Sequence, residues 1–286
     1  MRSNRPSTTS TWVAALRGLG SVTMPGVADD PLAVSLVPRP YSTMLRWASR
    51  HSAPIRRAHE VLLRATDARV GHMTFRTRAI DDAIAHALSS KARPRQLVIL
   101  GAGLDARAHR LPGLGDVSVF ELDHPTTQAF KRRRAASLPL LARALHYVPT
   151  NFEADDLAMG LAHAGHDSTA PSVFVWEGVV MYLSTSAIAS TLAVLRERAA
   201  LGSTLAVTYL EPIAWRGWVD GHLLRRLLGS VREPVRTEWR HEDARRHLRA
   251  HGFDVVSDES DIEWGPRYLG RSTSRSLERL VVGVRA

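Results

Sequence analysis

The stretch Gln96-Leu97-Val98-Ile99-Leu100-Gly101-Ala102-Gly103-Leu104-Asp105-Ala106 decides the fold class of this 286-residue chain. Leu97 to Leu100 is a short apolar run with a glycine directly behind it, the pattern of a buried parallel strand ending in a tight turn. Gly101 and Gly103 let the backbone turn sharply and let a ligand approach the main chain. The spacing fits a G-x-G-x-x-A dinucleotide fingerprint as well as a loop for S-adenosylmethionine, and an ordinary strand-to-helix turn is the bland alternative.

Downstream, further strands are predicted at Val117 to Leu122, Ala144 to Pro149, Ser172 to Trp176 and Thr204 to Tyr209. Helical periodicity separates them at Pro125 to Ala136, Asp155 to Ala164 and Thr185 to Ala200, the last behind Ser184 as a good N-cap. Such alternation argues for an α/β fold with helices on both faces of a parallel sheet. The end of the chain differs. Glu242 to His251 reads as a helix closed by Gly252, Phe253 to Ser257 as a strand, and Leu280 to Val284 as the last strand. Asp258 to Glu278 reads as a loop with no strong helix, so the last two strands are expected to pair antiparallel. The fold class is therefore Rossmann-like, a seven-stranded, mostly parallel sheet with its last strand antiparallel.

Upstream, residues 1–28 are rich in Ser, Thr, Arg and Gly and read as a flexible tail. Residues 29–94 read as a helical cap, cut by Pro38, Pro40 and Pro54, with helical spacing over Ile55 to Ala68 and Thr77 to Leu88. Residues 95–286 form the α/β domain, with a lid-like insertion at about 211–238 that holds Trp215, Arg216, Trp218 and Arg225. An aromatic, basic lid suits an acidic, ring-bearing ligand, and an amphipathic packing helix is the competing reading.

The formal net charge of +10 invites a nucleic-acid partner, as does Lys131-Arg132-Arg133-Arg134. Arginines are scattered along the whole chain, however, and lysine occurs only at Lys91 and Lys131. That is general bias rather than a patch, and no nucleic-acid partner is expected. No stretch approaches the roughly 20 apolar residues of a membrane span. The run Trp12 to Leu16, broken by Arg17, is too short for a signal-peptide core. The absence of cysteine rules out disulfides and thiolate metal sites, and a cytoplasmic location is expected. His247 and His251 stand four apart on a predicted helix with His241 upstream, a zinc-like spacing. Arg245, Arg246 and Arg249 crowd the same helix and would repel a cation, so no metal is expected.

Candidate ligand contacts follow from the strand ends. Asp123 closes the second strand about 20 residues beyond the glycines, where a carboxylate can accept from both ribose hydroxyls, and Glu121 competes for that role. Glu177 lies at the tip of the fourth strand, at the crevice where open α/β sheets bind ligands. A guanidinium of Arg76-Thr77-Arg78, with Arg78 the candidate, could fork onto a ligand carboxylate, although on the residues alone a solvated helix start is the better explanation.

Together these pieces resemble the leucine carboxyl methyltransferase family. Arg76 to Asp82 reads RTRAIDD, similar to its R-T-R-x-x-D-D. Val98 to Leu111 reads VILGAGLDARAHRL, Phe120 to Pro125 reads FELDHP, and Trp176 to Leu183 reads WEGVVMYL, each close to a family motif and in the family's order. The resemblance runs from about Asp30 to the C-terminus. It implies a class I methyltransferase that uses S-adenosyl-L-methionine, in the branch of bacterial O-methyltransferases of natural-product pathways, acting on a carboxylate or hydroxyl of a small molecule. It implies that Arg78 holds the methionine carboxylate, that Gly101 and Gly103 line the methionine and ribose, that Asp123 takes the ribose hydroxyls, and that Glu177 lies near the amino group. Asn151 stands where the family usually has Asp. It and Phe152 would meet the adenine. A carboxylate acceptor is ionised at neutral pH and needs no general base; for a hydroxyl, His124 is the candidate base. Tyr182, Tyr209, Trp215 and Arg216 are candidate acceptor contacts. A nicotinamide-dependent oxidoreductase and a nucleic-acid methyltransferase are the rival functions.

Overall fold

The structure is a computed structural model that describes residues 6–65, 71–212, 235–270 and 278–286. Its centre is a seven-stranded sheet in the order β3-β2-β1-β4-β5-β7-β6. The strands are β1 (Gln96–Leu100), β2 (Ser118–Asp123), β3 (Ala144–Pro149), β4 (Ser172–Trp176), β5 (Thr204–Leu210), β6 (Phe253–Ser260) and β7 (Glu278–Arg285). Neighbours among β1 to β5 pair parallel, and β7 runs antiparallel to both β5 and β6. The expected fold class is therefore observed, with the antiparallel strand slotted between β5 and β6.

Period-two alternation explains why β1 is buried throughout. Leu97 and Ile99 face one layer with Phe75, Ile80 and Ile84. Val98 and Leu100 face the other, with Leu161, Ile188, Leu192 and Leu195. Each such side chain contributes about 1.5–3 kcal/mol by burial, so the central strands are rigid supports for whatever their ends carry.

The helices are α1 (Thr8–Thr23), α2 (Ala33–Leu36), α3 (Tyr41–Arg50), α4 (Ser52–Ala65), α5 (His72–Leu88), α6 (Arg107–Arg110), α7 (Pro125–Ala135), α8 (Leu157–His163), α9 (Thr185–Arg198), α10 (His241–Ala250) and α11 (Asp261–Leu269). Ser184 caps α9 as expected, accepting from the Ala187 N–H at 3.2 Å.

Two sequence expectations change. Most of the supposed N-terminal tail is α1, which packs on α5 and α3. Its glycines weaken helix propensity but permit close packing. A Cβ at Gly18 would lie 2.7 Å from Leu45 Cδ1, and one at Gly20 would lie 2.2 Å from Thr74 Oγ1. The supposed loop after β6 holds α11, opened by a capping box in which Ser260 and Glu263 exchange hydrogen bonds. Gly265 and Pro266, which read as breakers, lie inside that helix.

Candidate functional site

The loops behind β1 to β4 all emerge at one edge of the sheet, and α1 lies across them. They enclose a cavity of about 300 Å³. Gly101, Gly103, Asp123, His124, Asn151, Phe152, Glu177 and Tyr182 all line it, together with Ser10, Val13 and Arg17 of α1.

The glycine loop turns at once behind β1. The N–H groups of Gly101 and Ala102 both donate to the Leu122 carbonyl, at 2.8 and 2.9 Å. Gly101 has φ +70°, and a Cβ there would lie 2.2 Å from Val179 Cγ2. Only glycine fits both constraints. The Gly103 N–H donates to Asp123 Oδ2 at 2.5 Å, and the His124 N–H donates to Oδ1 at 2.6 Å. Burial pushes the Asp123 carboxyl up, and those two hydrogen bonds oppose the shift.

Glu121 does not share this role. It is buried against Lys131, 2.5 Å away, and belongs to the packing between β2 and α7. Burial pushes its carboxyl up to about 7, against the pull of Lys131. The basic string Lys131 to Arg134 is correspondingly structural in part. Arg132 lies over the Tyr147 ring, and Arg134 donates to the Val37 carbonyl.

Glu177 sits at the inner end of the cavity between two guanidinium groups. Its Oε1 accepts from Arg76 Nε at 3.1 Å and lies 2.9 Å from Nη2, while its Oε2 accepts from Arg107 Nη1 at 2.8 Å. Burial alone would raise its pKa, yet Arg107 and Arg76 outweigh that and hold the carboxyl well below the usual range. The ion pairs continue inward. Arg76 also meets Glu278 at 2.8 Å, and Arg107 meets Asp81 at 2.7 Å and Asp105 at 2.5 Å. Arg17 closes the set, with Nε on Asp30 at 3.0 Å and Nη2 on the Leu104 carbonyl at 2.7 Å.

Arg78 is the main correction. Helical geometry sets residues two apart about 200° around the axis, so Arg76 and Arg78 leave α5 on different sides. Arg78 pairs with Asp82 on the surface at 2.8 Å, with 43% of its side chain exposed, and its guanidinium lies over Tyr268. Of the two arginines, Arg76 is the one in the cavity wall. Tyr209 is also misplaced by the sequence reading. It is buried, with its hydroxyl donating to Asp258 at 3.0 Å, and it is not in the cavity wall. Trp215 and Arg216 lie outside the described residues, as does most of the proposed lid. At its described end the Arg236 N–H donates to the Met181 carbonyl at 2.8 Å, next to the cavity residues Tyr182 and Leu183.

His124 is the N-cap of α7, its Nδ1 accepting from the Thr126 N–H at 3.3 Å. His247 stacks on Trp239, and His251 Nδ1 is 2.8 Å from the His247 carbonyl. Among the described residues there is no group of three or more metal-ligating side chains. No helix among them is long and apolar enough to cross a membrane. Sequence reasoning missed Arg17, Arg76 and Arg107. The signal available for Arg107 was its place two residues behind Asp105 in the glycine loop, and for Arg76 its place in the same three-residue segment as Arg78.

The sequence profile of the leucine carboxyl methyltransferase family matches residues 10–196. A protein of Mycolicibacterium vanbaalenii named "Putative S-adenosyl-L-methionine-dependent methyltransferase" is 32% identical over 259 residues, 88% of this chain and 77% of that one. A protein of the same name from Mycobacterium sp. strain KMS is 34% identical over 255 residues, again 88% and 77%. Among solved structures, a DUF574 family protein of Streptomyces avermitilis superimposes with a TM-score of 0.63 over 98% of both chains, at 15% identity. That likeness concerns the fold.

Proposed function

The chain belongs to the leucine carboxyl methyltransferase family and is an S-adenosylmethionine-dependent methyltransferase; we propose that its acceptor is an oxygen of a small molecule, a carboxylate before a hydroxyl. The residues of the cavity fit the cofactor. Asp123 would accept from the ribose hydroxyls beside the Gly101 and Gly103 backbone. Phe152 would cover the adenine and Asn151 would meet its edge. Arg76 and Glu177 would offer opposite charges to the α-carboxylate and α-ammonium of the methionine arm.

The observation that carries the choice of acceptor is that, among the described residues of the cavity wall, every carboxylate that could take a proton is already held by a hydrogen-bond or ion-pair partner. Four carboxylates line it, Asp105, Asp123, Glu153 and Glu177. Asp105 is held on Arg107, Glu177 between Arg76 and Arg107, Asp123 by two backbone N–H groups, and Glu153 by Ser184 and Arg236. His124 uses its Nδ1 lone pair to cap α7, so in its neutral form Nε2 carries the proton and cannot accept another. A carboxylate acceptor is already ionised and needs none of them.

When bound, S-adenosylmethionine supplies an electrophilic methyl on a positively charged sulfur. The protein's share is alignment of the acceptor oxygen and exclusion of water, to which α1 contributes by lying over the cavity. The test is transfer of labelled methyl to a panel of small aromatic carboxylic acids and phenols, followed by mild base. Esters release the label as methanol and ethers keep it. Base-stable product alone, or transfer only to amines or nucleic acids, overturns the reading. A natural-product intermediate is the class of acceptor to include first.

A further inference from the structure

His72 and Arg76 stand one turn apart on α5 and leave it on the same face. His72 Nδ1 lies 2.8 Å from both Asp261 oxygens at the start of α11, and its Nε2 lies 2.8 Å from Glu278 Oε2 on β7. Glu278 in turn accepts from Arg76 Nη1 with both oxygens, at 3.0 and 2.8 Å. Asp261, Glu278 and Arg76 are all buried. His72, Asp261 and Glu278 do not line the cavity, whereas Arg76 and Glu177 do.

Arg76 is therefore gripped from two sides: its Nε donates to Glu177 Oε1, which also lies 2.9 Å from Nη2, and its Nη1 donates to both oxygens of Glu278. The two glutamates together set the orientation of the guanidinium plane. We propose that His72 is a positioning residue of the cofactor site: by bridging Asp261 and Glu278 it fixes the carboxylate that sets the roll of the Arg76 guanidinium, and so the face that Arg76 and Glu177 turn to the amino-acid arm. Donating from both ring nitrogens requires the imidazolium form. Burial opposes that form, but hydrogen bonds to Asp261 and Glu278 outweigh it and raise the pKa to about 9. Among the described residues, the ring of Trp264 also lies beside His72, with centroids 6.3 Å apart.

The inference rests on Arg76 and Glu177 meeting the amino-acid arm, and the experiment separates the two. Calorimetry measures Kd for S-adenosylhomocysteine and for 5′-methylthioadenosine, the same nucleoside without that arm. His72→Gln is expected to weaken S-adenosylhomocysteine roughly tenfold, the scale of one charge-assisted hydrogen bond, and to leave methylthioadenosine unchanged. Trp264→Phe loosens the same packing without touching the charges, and is expected to lower Tm with no such selectivity. Equal weakening of both ligands by His72→Gln, or of neither, overturns the proposal. Where His72→Gln does not fold, Asp261→Asn removes one anionic partner of His72 and is expected to show the same selectivity at smaller size; unselective weakening overturns it. If Arg76→Gln also leaves S-adenosylhomocysteine affinity intact, the assignment of Arg76 itself has failed.

Discussion

Replacing Glu177 with Gln keeps the shape at the inner end of the cavity and removes its charge. One of the two arginines then meets an amide N–H instead of an oxygen. Removing one partner of a buried ion pair costs about 3–5 kcal/mol when the other is left uncompensated. Here Arg107 retains Asp81 and Asp105, and Arg76 retains Glu278, so the low end, about 3 kcal/mol, applies. Unfolding entropy runs at about 2.1 cal/mol/K per residue, which for 286 residues is about 0.6 kcal/mol/K. The variant should therefore melt about 5 °C below the wild type at neutral pH. The sign of the pH dependence follows from linkage. The carboxyl titrates below its ordinary 4.5 in the folded chain, so its contribution is fully present above that value and is lost progressively as pH falls towards the folded pKa. The gap in Tm should be constant from about pH 5 to 8 and should narrow below about pH 4.5. Scanning calorimetry over that range decides the matter. A variant that melts within about 1 °C of the wild type at neutral pH would falsify the ion-pair account.

The other expectations concern the cofactor. Asp123→Ala should weaken S-adenosylhomocysteine by about 1–3 kcal/mol in calorimetry; unchanged affinity would remove the ribose role from this residue. Arg78→Ala should change affinity and stability by less than about 1 kcal/mol, because its pair with Asp82 is an exposed one; a tenfold loss of binding would restore Arg78 to the site. Gly101→Ala forces a left-handed φ on a residue with a Cβ and drives that atom against Val179, so about 2–4 kcal/mol of stability should be lost in denaturant melts. A loss below about 1 kcal/mol would mean the loop relaxes freely and is no rigid cradle.

What could be read from the chain and what could not divide along a physical line. β1, β2, β4 and β5 are buried on both faces, so their apolar runs are nearly continuous and stand out against the polar turns between them, whereas β3, half-buried at the sheet edge, reads more weakly. The glycine loop was legible because two constraints, left-handed backbone and close approach, act on the same residues. α1 was not, because its stability is tertiary. Gly18 and Gly20 count against a helix in any local scale, and their benefit appears only once Leu45 and Thr74 are in place. α11 was hidden by Gly265 and Pro266, although Ser260 and Glu263 carried the S-x-x-E capping pattern three residues earlier.

The Arg76 and Arg78 exchange shows the limit more sharply. A motif places an arginine on a helix but does not give the rotation of that helix about its axis. The rotation of α5 is fixed by Phe75, Ile80 and Ile84 entering the core, and with those three buried Arg76 is carried inward and Arg78 outward. The apolar spacing was visible beforehand, and reading the charged residues against it would have placed Arg76 on the inner side with His72, four residues before it. Arg17, Arg107 and Lys131 make the same point: each is turned inward against a carboxylate that cancels its charge, so the place of a basic residue in the core could be told only from the apolar spacing around it and not from its type.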